Sequence, residues 1–223
     1  IIKIGRMLHD IINNNIVFDY KPYSVYLKKE LEYMSGEQAE IDLKYWSQLY
    51  DNNPETAYIK ENQTQNSTAA QNRYSLSVSD REMLEKYCND NSLSPHIVIM
   101  SGIAAYFKSA LGKNNFYIGT TVDNNSGDYG MGCFENTIPI SINVSDTVGF
   151  TAFADIVSDS YKSASVHAGY AYIDFMHKLS NDFNQGSLYD VVVNYTELNA
   201  DDAHCLPRTN ITENMCITLI KCG

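Results

Sequence analysis

The sequence predicts a mixed α/β protein in which helices pack on the faces of a layered sheet. Helical segments and short apolar strands interleave along the chain, which is the order expected for such layered folds. Apolar residues make up 44% of the sequence, enough to fill a sizeable core. One helix (97–111) and one strand (116–122) are apolar on most sides, which is typical of elements buried in that core.

The first part of the chain predicts three helices. Residues 1–13 are amphipathic but begin without a capping residue, which predicts a helix cut from a longer chain. Two further helices are expected over Tyr23–Met34 and from Glu37 to Leu49. The second of these should end before the Asn52-Asn53-Pro54 sequence, because such a sequence breaks helices.

A polar, low-complexity stretch over residues 61–72 predicts a surface loop or hinge. We therefore expect a boundary within 50–72 that divides the chain into two units, 1–72 and 73–223. Apolar residues that alternate with serines over 74–78 predict a half-buried strand at the start of the second unit.

Two helices with clear end signals should follow. Ser79 and Glu82 have the spacing of a capping box, which predicts a helix that runs to about Asn89. Ser94 can cap the next helix, with Pro95 in its first turn, where the missing N–H is not needed. Gly112 should end that helix, because glycine readily adopts the left-handed conformation required there.

The remainder of the chain predicts strands and two more helices. Pro139 lies within the apolar alternation of the second strand and predicts a sheet edge or a bulge there. A loop rich in Gly, Asn and Asp is expected over Asp123–Gly132, between the first two strands of this part. The remaining predicted elements are a strand over 137–144, a helix after Thr147, a short helix over 173–179, and strands over 189–196 and 215–222.

Charge and composition exclude several classes of function. The net charge is −11, and nucleic-acid binding requires a basic surface, so neither nucleic acid nor an anionic membrane is an expected partner. No apolar run approaches the length of about 18 residues that predicts a membrane span. The five cysteines form no Cys-x-x-Cys pair, so we expect no metal site and a reducing, cytoplasmic location.

Histidine and tryptophan offer no catalytic constellation in this chain. No Ser or Cys nucleophile pattern accompanies any histidine. His167 is interpreted as a helix-end residue, which the helix dipole favours, and Trp46 as a core anchor. His9 is placed on the solvent side of the first helix, and three further histidines are placed on the surface: His96, His177 and His204.

Several strings, in order, resemble the condensation domains of nonribosomal peptide synthetases. Gly132-Cys133-Phe134-Glu135-Asn136-Thr137-Ile138-Pro139-Ile140 resembles that family's Gly-Phe-Phe-Val-Asn-Thr-Leu-Pro-Leu. Residues 117–122 are similar to its Ile-Gly-Thr-Pro-Val strand, and 42–49 to its linker helices with Tyr-Trp before Leu. Residues 165–179 and 188–195 resemble its His-Gln-Asp-Tyr-Pro-Phe-Glu segment and its closing Leu-Phe-Asp-Val strand.

The resemblance implies a chloramphenicol acetyltransferase-like fold with two lobes. Residues 1–72 would be the end of the N-terminal subdomain with linker helices, and 73–223 the C-terminal subdomain. The family's His-His-x-x-x-Asp-Gly signature is absent from this sequence and is expected upstream of Ile1. We therefore expect no catalytic residue in this chain and no activity of the chain alone.

The resemblance also implies site residues. Asn136 is the strongest candidate for the wall of the substrate tunnel, although an asparagine before a strand can equally cap a turn. The other tunnel candidates are Gly119, Gly132 and Phe134. A loop that crosses to the other lobe is expected to contain Asp123, Asn124, Asn125, Gly127 and Tyr129, unless it is an ordinary mobile loop.

The implied reaction joins an acyl or peptidyl thioester to an aminoacyl amine, with both substrates on phosphopantetheine arms of carrier proteins. No cofactor or metal bound by the chain itself is required. The family's Pro and Arg correspond here to Thr121 and Asn125. These departures leave open a degenerate module that only recruits partners, or a related epimerisation, cyclisation or free-standing acyltransferase domain.

Overall fold

The computed structural model describes most of the chain. The described residues are 11–13, 21–51, 72–124, 129, 132, 134–145, 148–179, 188–198 and 215–222. Of the helix predicted over 1–13, only the last three residues fall within these ranges. Of the loop predicted over 61–72, all but residue 72 lies outside the described residues.

The described residues form six helices of eight residues or more and four strands, which confirms the predicted mixed α/β class. The helices are α1 (Tyr23–Met34), α2 (Glu37–Asp51), α3 (Val78–Asn91), α4 (Pro95–Leu111), α5 (Phe150–Val166) and α6 (Tyr172–Leu179). The strands are β1 (Asn115–Asp123), β2 (Glu135–Asn143), β3 (Val191–Leu198) and β4 (Met215–Cys222). Among the described residues, no helix combines the length and the apolar character that crossing a bilayer requires.

The four strands form one sheet in the order β2-β1-β3-β4. The pair β1/β2 is antiparallel along its whole length, while β1/β3 and β3/β4 are parallel. Pro139 lies in β2, an edge strand of this sheet, which confirms the expectation of an edge, since a missing N–H is tolerated there.

Helices cover both faces of the sheet. On one face, His96 of α4 contacts Thr120 of β1 through Nε2 and Oγ1, 3.1 Å apart, and the α5 residue Tyr161 packs edge-on against His96. On the other face, the Tyr117 hydroxyl of β1 donates to the Leu49 carbonyl of α2 at 2.7 Å. The core therefore lies in two layers, one on each side of the sheet.

Local end signals fixed α4 as predicted. The Ser94 side chain accepts from the Ile97 amide, Pro95 occupies the first turn, and Gly112 ends the helix with a φ of 63°. Because an L side chain rarely adopts a positive φ, glycine is the residue suited to this position.

The strand expected over 74–78 is wrong. Residues 72–77 have no regular structure, and Val78 begins α3. Tyr74 is 89% exposed and Leu76 63%, so these side chains pack against no second layer among the described residues. The alternation was real, but a strand also requires a partner strand to satisfy its backbone groups.

The capping box expected at Ser79 and Glu82 is also wrong. The N-cap of α3 is Ser77, whose hydroxyl oxygen accepts from the Asp80 amide at 3.1 Å. That hydroxyl also donates to the Asp80 carboxylate at 2.7 Å. The Ser-x-x-acid spacing is therefore found at Ser77 and Asp80, two residues earlier than predicted and with aspartate in place of glutamate.

His96 was expected on the surface, and this is wrong. It is only 9% exposed, because the first turn of α4 lies directly on β1. The Thr120 hydroxyl donates its hydrogen to the Val193 carbonyl at 2.7 Å. Thr120 Oγ1 must therefore accept the hydrogen bond from the Nε2–H of the His96 ring. Burial lowers the pKa of His96 below its ordinary value of 6.5, since a charged ring would lose its hydration.

This burial predicts a pH-dependent stability. Below pH 6.5, the ordinary pKa of histidine, His96 binds a proton in the unfolded chain more readily than in the folded chain. The free energy of unfolding therefore decreases as the pH falls. In His96→Gln, we expect the free energy of unfolding to fall less between about pH 7.5 and about pH 5.5 than in the wild type. Urea titrations across this range provide the measurement. His177→Gln, at an exposed position, is the control, and equal slopes in the wild type and His96→Gln would contradict the prediction.

Candidate functional site

Asn136 occupies the first inward-facing position of β2. It lies opposite Val122 of β1 and continues the phase of the buried residues Ile138 and Ile140. The β-strand period of two therefore directs its side chain toward the buried face rather than toward solvent.

The Asn136 amide joins β2 to the turn between α5 and α6 (residues 167–171, the α5–α6 turn). Its Nδ2 donates to the carbonyls of Ala168 and Tyr170, each at 2.8 Å. Its Oδ1 accepts from the Tyr172 amide at 3.3 Å. Both amide hydrogens are thus used by backbone carbonyls, so the side chain anchors the strand. A direct contact between Asn136 and a substrate stays a prediction.

The predicted crossover loop is closed at its base. The Asn124 amide donates to the Phe134 carbonyl at 2.9 Å, which joins the start of the loop to the chain just after it. The Asn124 side chain also donates to the Ala168 carbonyl at 2.9 Å. Asn124 and Asn136 consequently share one acceptor on the α5–α6 turn.

Aromatic side chains hold the loop against α1. Tyr129 and Phe134 pack on the α1 residues Tyr23 and Tyr26, with ring centroids between 4.8 and 5.4 Å apart. Gly132 lies beneath this cluster, where an added Cβ would collide with the rings of Tyr23 and Phe134. Glycine is therefore required at position 132 by a close approach.

A cavity of about 310 Å³ opens between α1, the loop and the α5–α6 turn. It is lined by Tyr26, Lys29, Glu30, Tyr33, Asn124, Tyr129 and Gly169. The Lys29 ammonium lies 5.5 Å from the centre of the Tyr129 ring, a cation–π distance. The cavity thus combines aromatic walls with one positive and one negative side chain.

Gly119 lies apart from this group, in the middle of β1. It is opposite Pro139, and an added Cβ would lie 2.7 Å from the Tyr189 ring. The absent side chain therefore makes room for Tyr189, which packs in turn against Tyr172. A tunnel role for Gly119 stays a prediction.

A buried polar network centred on Asp42 of α2 was not predicted from the sequence. The Asp42 carboxylate accepts from Tyr33 Oη at 2.6 Å, from Gln38 Nε2 at 2.8 Å and from His167 Nδ1 at 2.7 Å. Burial, together with the bond to Asp42, raises the pKa of Tyr33, which keeps the hydroxyl a donor. The available signal was the position of Asp42 on the buried stripe of α2, with Ala39 and Trp46.

Trp46 and His167 both lie where the sequence predicted them. Trp46 is fully buried, and its Nε1 donates to the His167 carbonyl at 3.2 Å, which confirms its interpretation as a core anchor. His167 is the C-cap of α5, so its helix-end position is confirmed.

Asn125 and Gly127 lie outside the described residues. Within the described ranges, no group of three or more His, Cys, Asp or Glu side chains could hold a metal ion.

Comparison with known proteins supplies the family. The family model for the condensation domain matches residues 13–214. Surfactin synthase subunit 1 of Bacillus subtilis (strain 168) is 27% identical over 138 residues, which is 60% of this chain and 4% of that protein. One of the plipastatin synthase proteins of the same organism is 22% identical over 192 residues, or 81% of this chain and 7% of that protein.

Solved structures agree in fold. The first condensation domain of the CDA synthetase superposes with a TM-score of 0.69 at 17% identity, covering 81% of this chain and 40% of that one. The condensation domain of the Monacolin K polyketide synthase MokA gives 0.68 at 15% identity, covering 88% and 50%. The chain thus spans half or less of each solved chain. The predicted chloramphenicol acetyltransferase-like fold is confirmed by this similarity, and with the family match over 13–214 the chain belongs to the condensation domain family.

Proposed function

We propose that this chain is part of a domain that forms amide bonds between two carrier-bound substrates. The amine nitrogen of an aminoacyl group attacks the carbonyl carbon of an acyl or peptidyl thioester. The C–N bond forms, the C–S bond breaks, and the carrier thiol leaves with the proton given up by the amine. The observation that carries this proposal is the condensation domain match across residues 13–214.

The geometry of the described residues supports a positioning role in this reaction. Holding two reactants in a near-attack arrangement can lower a barrier by several kcal/mol. Here the loop between β1 and β2 is closed by the Asn124–Phe134 bond and pinned to α1 by Tyr129. A loop fixed at its base and at Tyr129 can serve as a wall for a substrate cleft.

A second observation supports an intact rather than a degenerate strand at the site. The condensation domain family has proline in its Ile-Gly-Thr-Pro-Val strand where this chain has Thr121. Unlike proline, Thr121 has a backbone N–H, which lies in the middle of the sheet. That N–H donates to Asn194 Oδ1 of β3 at 3.1 Å. Because a buried unpaired amide would be unfavourable, the departure from the family pattern is compensated.

The finer assignments follow from the same proposal. We place the end of an N-terminal subdomain and its linker helices in residues 1–72, and the C-terminal subdomain in 73–223. The partners are then acyl or peptidyl carrier domains that bring their own phosphopantetheine, together with the N-terminal subdomain that carries the histidine signature. A cytoplasmic location fits these partners.

Reconstitution of the complete protein tests the proposal. One carrier is loaded with an acyl thioester and the next with an aminoacyl thioester, and the second carrier is examined by intact-protein mass spectrometry. We expect the acyl-aminoacyl product on the downstream carrier and a free thiol on the upstream one. Omission of either loaded carrier is the control.

Other products distinguish the alternatives. A failure to form the amide while both carriers still bind would favour a module that only recruits partners. Inversion of the aminoacyl centre would indicate epimerisation, a heterocyclic or macrocyclic product would indicate cyclisation, and acyl transfer to a free amine would indicate a free-standing acyltransferase. Each of these outcomes overturns the proposed reaction.

A further inference from the structure

The Asp42 network connects the helices α1 and α2 to the α5–α6 turn. Asp42 is buried, and its three hydrogen-bond donors come from three places: Tyr33 at the end of α1, Gln38 in the first turn of α2, and His167. Hydrogen bonds to a carboxylate are short and directional. A buried carboxylate with three such donors therefore fixes orientation in a way that apolar packing does not.

His167 is held by α2 at both its side chain and its backbone. Its ring is stacked on Tyr45, with centroids 4.0 Å apart and planes inclined by 18°. Its Nδ1 lies 2.7 Å from Asp42 Oδ1, and its carbonyl accepts from Trp46 Nε1. The ring face, the ring nitrogen and the backbone carbonyl of one residue are thus fixed by a single helix.

The same turn fixes the residues that border the crossover loop. The Ala168 carbonyl, directly after His167, accepts from both Asn124 and Asn136. The Tyr170 carbonyl and the Tyr172 amide complete the contacts of Asn136. A displacement of His167 would move these backbone groups and, with them, both ends of the loop.

We propose that His167 and Asp42 are positioning residues for the condensation reaction. Through the α5–α6 turn they set the placement of Asn124 and Asn136, and thereby the position of the loop that borders the cleft. This inference rests on the proposed function for its catalytic consequence. In this proposal the effect of both residues is transmitted by the turn and not by contact with a reacting atom.

Two substitutions at His167 separate the hydrogen bond from the ring stack. His167→Phe keeps an aromatic ring on Tyr45 but removes the donor to Asp42. His167→Asn removes the ring but retains an N–H near the position of Nδ1. In the reconstituted complete protein we expect His167→Phe to lower kcat by about tenfold or more, with carrier half-saturation nearly unchanged. His167→Asn should stay within about twofold of the wild type.

Amide hydrogen exchange provides a readout that does not depend on activity. The Tyr172 amide is protected by its bond to Asn136, so His167→Phe should speed its exchange, while His167→Asn should not. Tyr33→Phe removes one donor from Asp42 at a half-buried site and should show a smaller change in the same direction. If His167→Phe does not fold, Tyr33→Phe still tests whether the Asp42 network affects the exchange of the Tyr172 amide. His177→Phe, at an exposed position on α6, is the matched control.

The outcomes separate this inference from the proposed function. If the wild type forms the amide and both His167→Phe and Tyr33→Phe match its kcat and its exchange, the positioning role is wrong. If the wild type forms no amide, the proposed function is wrong, and unchanged Tyr172 exchange in His167→Phe and Tyr33→Phe would also overturn the structural coupling. A loss in His167→Asn with wild-type kcat and exchange in His167→Phe would assign the effect to ring packing and overturn the role of the hydrogen bond.

Discussion

Replacing Trp46 by alanine should lower the free energy of unfolding by about 3–5 kcal/mol, the usual range for a fully buried tryptophan. Its indole is completely buried and packs edge-on against Tyr172, with centroids 5.5 Å apart. Its Nε1 donates to the His167 carbonyl, which would lose this partner. Since Trp46 joins α2 to both the α5–α6 turn and α6, the cavity left by its removal lies at the junction of three elements.

Denaturant unfolding followed by far-UV circular dichroism measures this effect, because the variant lacks the only tryptophan of the sequence. Trp46→Phe should lose only about 1–2 kcal/mol, since it keeps a ring but not the N–H donor. Tyr106→Ala is the control, as Tyr106 is an aromatic residue on α4 that is 65% exposed. A Trp46→Ala loss no larger than that of Tyr106→Ala would show that α2 is not anchored through the indole.

Replacing Asn136 by alanine should be the second most damaging change. Ala168 O keeps Asn124 as a donor, but Tyr170 O and the Tyr172 amide lose the partner they have in Asn136. Each of the two buried backbone groups left without a partner is expected to lower stability by roughly 1–3 kcal/mol, or about 2–6 kcal/mol together. Under the proposed function, amide-bond formation between the two carriers should fall as well, since both ends of the crossover loop depend on the same turn.

Asn136→Asp sharpens this prediction. The aspartate keeps the acceptor for the Tyr172 amide but brings a carboxylate oxygen against two carbonyl oxygens in place of the Nδ2 donor. We therefore expect it to be at least as destabilising as alanine, although it is nearly isosteric. Asn143→Ala, on the same strand at an exposed position, should change stability by less than about 0.5 kcal/mol. Equal stabilities of Asn136→Ala and Asn143→Ala would contradict the anchoring role.

Short-range chemistry explains why much of the fold could be predicted. The bounds of α1 were predicted to the residue, and those of β4 likewise. Ser94 and Gly112 fixed the ends of α4 because caps act within one turn of the chain. The alternation in β2 fixed its buried face, since side chains on a strand point to opposite sides in turn. Asn136 lies one residue before the strand predicted over 137–144, so its place on the buried face was shown by the structure.

The failures share a different cause. The alternation over 74–78 has the period of a strand, but no neighbouring strand pairs with it among the described residues, and Tyr74 and Leu76 remain exposed. His96 follows a proline at the start of a helix, a position compatible with solvent in the sequence alone. It is buried because that helix end lies on Thr120 of β1. Both outcomes depend on which elements become neighbours.

By itself, the sequence determined the types of most elements, the restriction of Pro139 to an edge or a bulge, and the order of motifs that identifies the family, because these are properties of local spacing. Only the tertiary structure decided that Asp42 meets His167, 125 residues further along the chain, and that Asn124 and Asn136 share one carbonyl. A hydrogen bond requires its donor and acceptor within about 3 Å of each other, and for residues so far apart in sequence that proximity is created by packing alone.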